Sequence, residues 1–162
     1  MFDAPFDKIE VVVHPRSIVH SAVEFIDGAL KAHIGHPDMR IPIQYALTYP
    51  RRAANPGEPF SLENQVLEFE PVDRRAFPGL DLAYSAGAAG GTMPAVLNAA
   101  DEVAVEAFLG GHISFLRITE IVEETLESVE RAEVNSFDDV VAADAEAREV
   151  ARAVMSSANS RL

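Results

Sequence analysis

The spacing of hydrophobic residues changes along the chain, and the change separates two kinds of structure. The run "KIEVVV" at residues 8–13 is rich in β-branched residues and predicts a strand that ends at His14-Pro15. Two further alternating runs, "SIVHSAVEFI" and "ALKAHI", flank Asp27-Gly28, the strongest short-range signal for a β-hairpin. A short helix is predicted near residues 42–49. The first third of the chain therefore predicts a small sheet.

A two-residue turn at Asp27-Gly28 would set the register of this hairpin. Glu24 would then face Lys31 as a cross-strand ion pair, and His20 would lie diagonally from His33. Alternation would leave one polar face and one buried apolar face, the latter formed by Val19, Val23, Phe25, Leu30, Ala32 and Ile34.

The middle of the chain predicts an extended connection. Residues 51–64, "RRAANPGEPFSLEN", are rich in Pro, Gly, Asn and Glu and are typical of a linker. The following "VLEFEPV" predicts either a short strand or an extended strap.

Helical spacing replaces alternation from residue 77 onward. "PGLDLAYSAGAAG" predicts one helix, and "TMPAVLNAADEVAVEAFLGG" predicts a buried second one with Thr92 as its N-cap. "SFLRITEIVEETLESVER" is amphipathic, with Phe115 predicted among its inward residues. Ser136 and Asp139 have capping-box spacing at the start of a fourth helix. The pattern predicts an α+β fold: a hairpin and sheet at 1–50, a linker at 51–76 and a four-helix bundle at 77–162.

Composition narrows the functional classes. The chain has 162 residues, mean hydropathy +0.05 and no cysteine, which excludes disulfides, thiolate metal sites and a cysteine nucleophile. No apolar run approaches the ~18 residues of a membrane span, and no signal peptide is recognisable, so a cytoplasmic location is expected. The net charge is -13, all of it in residues 53–162. This acidic part argues against binding to nucleic acid or an anionic membrane.

The spacing of residues alone identifies no metal site, nucleotide-binding loop or catalytic pair. His14, His20, His33 and His36 lie close in sequence, but positions along a strand face are spread rather than convergent, so solvated histidines are favoured over a metal site. The glycine-rich "GAAGG" follows a helix and does not match a dinucleotide fingerprint. Ser17 and His20 fall on opposite sides of a strand, which disfavours a hydrolase pair.

Longer blocks carry a specific resemblance. The segments "IEVVVHPRSIVHSAVEFIDG", "GHPDMRIPIQYALTYP", "FPGLDLAYSAGAAGGTMPAVLNAADEVAVEAFL", "FLRITEIVEETL" and "SFDDVVAADAEARE" resemble, in order, the C-terminal part of the 1-deoxy-D-xylulose 5-phosphate reductoisomerase family. The resemblance runs from about Phe2 to Val154. It departs from the family at Arg16, where Gln is common, and at Asp101, where Asn is common.

The resemblance implies an NADPH-dependent rearrangement and reduction of 1-deoxy-D-xylulose 5-phosphate to 2-C-methyl-D-erythritol 4-phosphate, a step in isoprenoid precursor synthesis. It implies Mg²⁺ or Mn²⁺ in the complete enzyme and assembly as a homodimer. The family's dinucleotide-binding domain, metal-binding carboxylates and mobile loop correspond to sequence upstream of the matched blocks. We therefore expect neither NADPH nor a metal to bind this chain alone, and we assign no catalytic residue in it.

By the same resemblance, four residues line one wall of the substrate pocket. Ser17 corresponds to a serine near the substrate phosphate, and His20 to a histidine near the active site. Pro37 and Met39 correspond to the pocket lining under the mobile loop. The leading hypothesis is a C-terminal fragment that is inactive alone. The alternatives are one half of a split enzyme and a stand-alone dimerising or binding module.

Overall fold

The computed structural model describes residues 4–54 and 57–158, which divide into two compact units. One unit comprises residues 11–72, and the other combines residues 4–10 with residues 73–158. The α+β fold class predicted from the sequence is confirmed. The predicted domain boundaries at residues 50 and 76 stay predictions.

The unit of residues 11–72 contains two short antiparallel sheets and one helix. Strand β1 (Val12–Val13) pairs with β4 (Glu70–Pro71), and β2 (Val19–Glu24) pairs with β3 (Leu30–Ile34). The short helix predicted near residues 42–49 forms as α1, which spans Arg40–Thr48. The first strand is shorter than the predicted 8–13: it pairs only at Val12 and Val13, and Lys8 belongs to a 3-10 turn at Phe6–Lys8. Only Ile18 is buried among the described residues of this unit.

The predicted hairpin register is wrong by one residue. Glu24 lies opposite Leu30 and Val23 lies opposite Lys31, so the expected Glu24–Lys31 pair does not face across the strands. The loop contains three residues rather than two: Phe25 N–H donates to Ala29 O, and Gly28 has a φ of 80°. This is the three-residue hairpin in which a left-handed glycine adds one residue to the turn.

The shifted register also changes the faces of the hairpin. A slip of one residue moves a strand's side chains to the opposite face. The charged Glu24 therefore shares a face with Leu30, and the predicted apolar face does not form. Every residue of the two strands except the half-buried Val19 is exposed.

The second unit is built around four helices: α2 (Gly79–Ala89), α3 (Met93–Leu109), α4 (Phe115–Ser128) and α5 (Phe137–Ala158). Helix α3 packs against the other three. Its buried face contains the predicted residues Val96, Ala100, Val103 and Ala104, and small alanines there let α4 and α5 approach closely. The predicted inward position of Phe115 is wrong, because this side chain is 61% exposed.

The bundle termini are closed by specific polar contacts. The predicted capping box of α5 is confirmed: Asp139 N–H donates to Ser136 Oγ at 3.3 Å, and the Asp139 carboxylate accepts from the backbone N–H groups of Asn135 and Ser136 at 2.8 Å each. Thr92 precedes α3 but makes no side-chain cap. Its hydroxyl instead accepts a bond from Ala132 N–H at 3.1 Å, which ties the start of α3 to the chain after α4.

Residues 4–10 pack on helix α2. The ring of Phe6 lies edge-on to that of Tyr84 and directly over Gly87, where a Cβ atom would be 2.2 Å from the ring. The Tyr84 hydroxyl donates to Ile9 O at 2.6 Å. Gly87 therefore provides the space in which the aromatic ring sits.

Candidate functional site

Ser17 occupies a strained turn at the start of the hairpin. Ser17 N–H donates to His14 O at 2.9 Å, closing a turn that contains Pro15, whose fixed φ suits such a position. Ser17 has a φ of 49°, in the left-handed region that non-glycine residues seldom occupy. The next residue, Ile18, is 6% exposed and anchors the turn. The exposed Ser17 is thus held in place by its neighbours.

His20 lies at an irregularity in strand β2. The pairing shifts by one residue between Val19 and Ser21, so His20 falls at a β-bulge, a feature that changes the direction of a side chain. Its ring centroid is 5.3 Å from that of His33 on β3. The sequence places these two histidines on neighbouring strands, but only the bulge explains their approach in the observed register.

Pro37 and Met39 lie in the segment between β3 and α1. Gly35 N–H donates to Ile18 O at 3.0 Å, so this segment leaves β3 beside the residue that follows Ser17. Met39 directly precedes α1 and is 71% exposed. Hairpin pairing therefore brings the Ser17 turn and the start of the Pro37–Met39 segment to the same end of the hairpin.

An ion pair stiffens this segment. The Arg40 guanidinium donates to both carboxylate oxygens of Asp38, with Nη2 at 2.6 Å from Oδ2. The side-chain hydrogen bond from Arg40, reinforced by Arg40 N–H, lowers the pKa of Asp38 to about 2. The same pairing raises the pKa of Arg40. Asp38 is therefore ionised at neutral pH and engaged by Arg40, which fixes the backbone on either side of Met39.

His14 joins the turn to the chain that returns from α1. Its Nδ1 lies 2.6 Å from Glu68 O, and its ring stacks on Phe69 at a centroid distance of 4.8 Å. Sequence reasoning grouped His14 with the other histidines and did not identify this role. A long-range partner leaves no local sequence pattern, and the His-Pro step was the only available signal.

The described residues at this end of the hairpin do not form a cluster that could hold a metal ion. No set of three or more His, Asp or Glu side chains there, or elsewhere in residues 4–54 and 57–158, is arranged to hold a metal ion. No helix among the described residues is long and apolar enough to cross a membrane. What the hairpin end offers is a hydroxyl, an imidazole and an apolar flank, which suits binding of part of a ligand.

The second unit has a separate groove. It has a volume of about 280 Å³ and lies between α2, α3 and α4, with apolar side chains along its floor and Glu123 and Glu127 among its lining residues. None of the four residues predicted to line a substrate pocket belongs to it.

The chain thus has an α+β fold, with an exposed hairpin that begins at a left-handed serine in one unit and a four-helix bundle in the other. A family model described as DXP reductoisomerase C-terminal domain matches residues 34–150. The chain belongs to this family.

Curated relatives and solved structures extend the similarity beyond that match. A 1-deoxy-D-xylulose 5-phosphate reductoisomerase of Pelotomaculum thermopropionicum is 53% identical over 149 residues, covering 91% of this chain and 38% of the relative. The structure of the Zymomonas mobilis reductoisomerase in complex with NADPH superposes with a TM-score of 0.88 at 46% identity, covering 95% of this chain and 41% of that one.

A DOX-P reductoisomerase structure in complex with NADPH, fosmidomycin and magnesium has a TM-score of 0.81 at 35% identity. It covers 90% of this chain and 38% of the other. The chain thus spans only about two fifths of the length of the proteins that it matches.

Proposed function

We propose that this chain forms the C-terminal part of an NADPH- and divalent-metal-dependent reductoisomerase that converts 1-deoxy-D-xylulose 5-phosphate to 2-C-methyl-D-erythritol 4-phosphate. The observation that carries the proposal is the family match over residues 34–150, together with relatives that are about half identical across nearly the whole chain. We also propose a cytoplasmic location and homodimeric assembly, in line with the family.

In this proposal the chain supplies one wall of the substrate pocket and none of the cofactor or metal ligands. Ser17 and His20 contribute the polar part of the wall, and Pro37 and Met39 the apolar part. Segments that correspond to the remaining three fifths of the relatives would hold NADPH, which would supply hydride, and Mg²⁺ or Mn²⁺, which would polarise the substrate oxygens. The hydrogen-bonding residues of this chain hold the phosphate end so that binding energy orients the carbon skeleton.

The first test compares the chain alone with the chain completed. The 162-residue chain incubated with NADPH, Mg²⁺ and substrate should not oxidise NADPH above background. A chimera should oxidise NADPH and form the methylerythritol product when the part of the Pelotomaculum relative that precedes the match is fused in frame to this chain. Turnover by the chain alone, or a folded chimera without turnover, would contradict the proposal.

The second test addresses the proposed wall of the substrate pocket. In the chimera, Ser17→Ala should raise KM for the substrate about ten- to hundredfold, because a hydrogen bond to a charged group contributes about 1.5–3 kcal/mol. Ser21→Ala is the matched control, since Ser21 is an exposed serine on β2, four residues after Ser17, and lies outside the proposed wall. Equal KM values for the two variants would remove Ser17 from the site.

A split enzyme and a dimerising module remain as second candidates. The exposed apolar side chains Val23, Phe25 and Leu30 on the hairpin favour association with another polypeptide. If the two halves form a split enzyme, mixing them as separate chains should restore turnover. If the chain is a dimerising module, size-exclusion chromatography should give a stable dimer that melts cooperatively. A monomer that restores no activity would exclude both candidates.

A further inference from the structure

His14 makes two contacts with different parts of its unit. Its backbone O accepts the Ser17 N–H at 2.9 Å, and its side chain reaches Glu68 and Phe69, more than fifty residues later in the chain. The ring planes of His14 and Phe69 are inclined by only 22°, so the two rings are stacked. One residue therefore connects the Ser17 turn to the returning strand.

The chemistry of the contact defines the form of the imidazole. A carbonyl oxygen can only accept a hydrogen bond, so the 2.6 Å contact with Glu68 O requires a proton on Nδ1. The buried Nε2 atom has no hydrogen-bond partner among the described residues. The Nδ1–H group is thus the one polar group of the ring with a protein partner in the described part of the chain.

This contact supports a backbone conformation that is otherwise costly. The left-handed φ of Ser17 is disfavoured for a residue with a Cβ atom, and such conformations persist where surrounding contacts hold them. The adjoining strands β1 and β4 pair over only two residues each, Val12 with Pro71 and Val13 with Glu70. The His14 side chain extends this short pairing by one further contact, directly before the turn.

We propose that His14 is a positioning residue for substrate binding: its Nδ1–H bond to Glu68 O holds the turn that presents Ser17, while Phe69 packs against the ring. The inference rests on the proposed function, in which Ser17 helps to bind the substrate phosphate. His14 itself does not touch the substrate. It acts through the backbone bond to Ser17.

The test uses the full-length chimera and two variants of His14. One variant keeps the hydrogen-bond donor to Glu68 O, and the other keeps the ring that stacks on Phe69. His14→Asn places an amide N–H near the position of Nδ1 and restores the donor, whereas His14→Phe keeps a ring on Phe69 and removes the donor. His14→Phe should raise KM for the substrate about tenfold with little change in kcat, because one hydrogen bond that positions Ser17 is lost. His14→Asn keeps that donor and should leave KM near the original value. The control, His112→Phe, alters an exposed histidine in the other unit and should change neither constant.

A double substitution distinguishes positioning from a general structural role. If His14 acts through Ser17, His14→Phe should raise KM much less in a Ser17→Ala background than in the original one. Should His14→Phe fail to fold, His14→Gln replaces it, because its amide lies nearer to the Nε2 position and leaves Glu68 O without its donor. His14→Gln should then raise KM, whereas His14→Asn should not.

Three results would overturn the inference. They are an unchanged KM in the donor-lacking variant, a KM increase that is equally large without the Ser17 hydroxyl, and a fall in kcat of the same size for His14→Asn and His14→Phe. An inactive chimera with all residues unchanged would instead contradict the proposed function. The two failures are therefore distinguishable.

Discussion

Gly91 offers a sharp test of how the bundle is closed. It has a φ of 57°, and a Cβ atom built on it would lie 2.2 Å from Ala132 O. That carbonyl accepts Thr92 N–H at 3.0 Å, and Ala132 N–H donates to the buried Thr92 hydroxyl at 3.1 Å. Gly91→Ala therefore places a side chain in a strained left-handed conformation. It also pushes apart the two hydrogen bonds that join the start of α3 to the chain after α4.

The expected cost is the sum of two effects. Placing alanine in the left-handed region costs about 1–2 kcal/mol. Weakening two hydrogen bonds, each with a net contribution of about 0.5–1.5 kcal/mol, adds about 1–3 kcal/mol. The free energy of unfolding should therefore fall by roughly 2–5 kcal/mol, which is a large fraction of the stability of a small domain.

The assay is urea unfolding followed by far-ultraviolet circular dichroism, which reports mainly on the helices of the bundle. Gly111→Ala is the matched control, because Gly111 has a φ of 73° and nothing within 4 Å of the added Cβ. In the control, the free energy of unfolding should fall only by the cost of the backbone strain, about 1–2 kcal/mol. In a Thr92→Val background, the additional cost of Gly91→Ala over Gly111→Ala should be smaller, since one of the two hydrogen bonds is already absent. If the Gly91 and Gly111 variants differ by less than about 0.5 kcal/mol, the junction does not stabilise the bundle as argued.

Three further substitutions test the capping box, the N-terminal contact and the core. Backbone N–H groups lower the pKa of Asp139 below its usual value of 3.8. The ionised carboxylate therefore stabilises the folded state above that pH, and this stabilisation is lost as the pH falls through the lower native pKa. Asp139→Asn should therefore lower the melting temperature at pH 7, and the deficit should narrow on acidification to about pH 3; a deficit independent of pH would contradict the argument. Gly87→Ala should lower the melting temperature by displacing the Phe6 ring, but should be neutral or stabilising in a Phe6→Ala background, because alanine is the better helix former. Ile121→Ala should cost about 2–5 kcal/mol in urea unfolding, whereas Leu116→Ala on the exposed side of α4 should change little; equal costs would refute the assignment of the core.

Local patterns predicted the helical half of the chain well. Helices α3 and α4 follow from apolar spacing, because a helix that packs on one face repeats its buried positions every three to four residues. The capping box at Ser136 and Asp139 follows from residue types three apart, and the structure confirms its reciprocal bonds. These features depend on residues that are close in sequence, so the sequence contains their signal.

The errors arose where two arrangements share one local pattern. Asp27-Gly28 is compatible with both a two- and a three-residue loop, and the choice moves every cross-strand partner by one. Thr92 is the N-cap residue of α3, as predicted, but its hydroxyl accepts a hydrogen bond from Ala132 N–H, forty residues later, and makes no bond to the helix. Phe115 follows the apolar spacing of α4, yet it lies at the helix start, where the described packing does not cover it.

The sequence by itself determined the family and the fold class, and it predicted the residues of the proposed wall, because these depend on blocks of adjacent residues. Only the tertiary structure decided how Ser17 is held: through the turn closed by His14 O, and through the contact of the His14 side chain with Glu68 and Phe69. That contact joins segments more than fifty residues apart. No spacing rule within a segment can encode it, since its distance and direction exist only once the strands have paired.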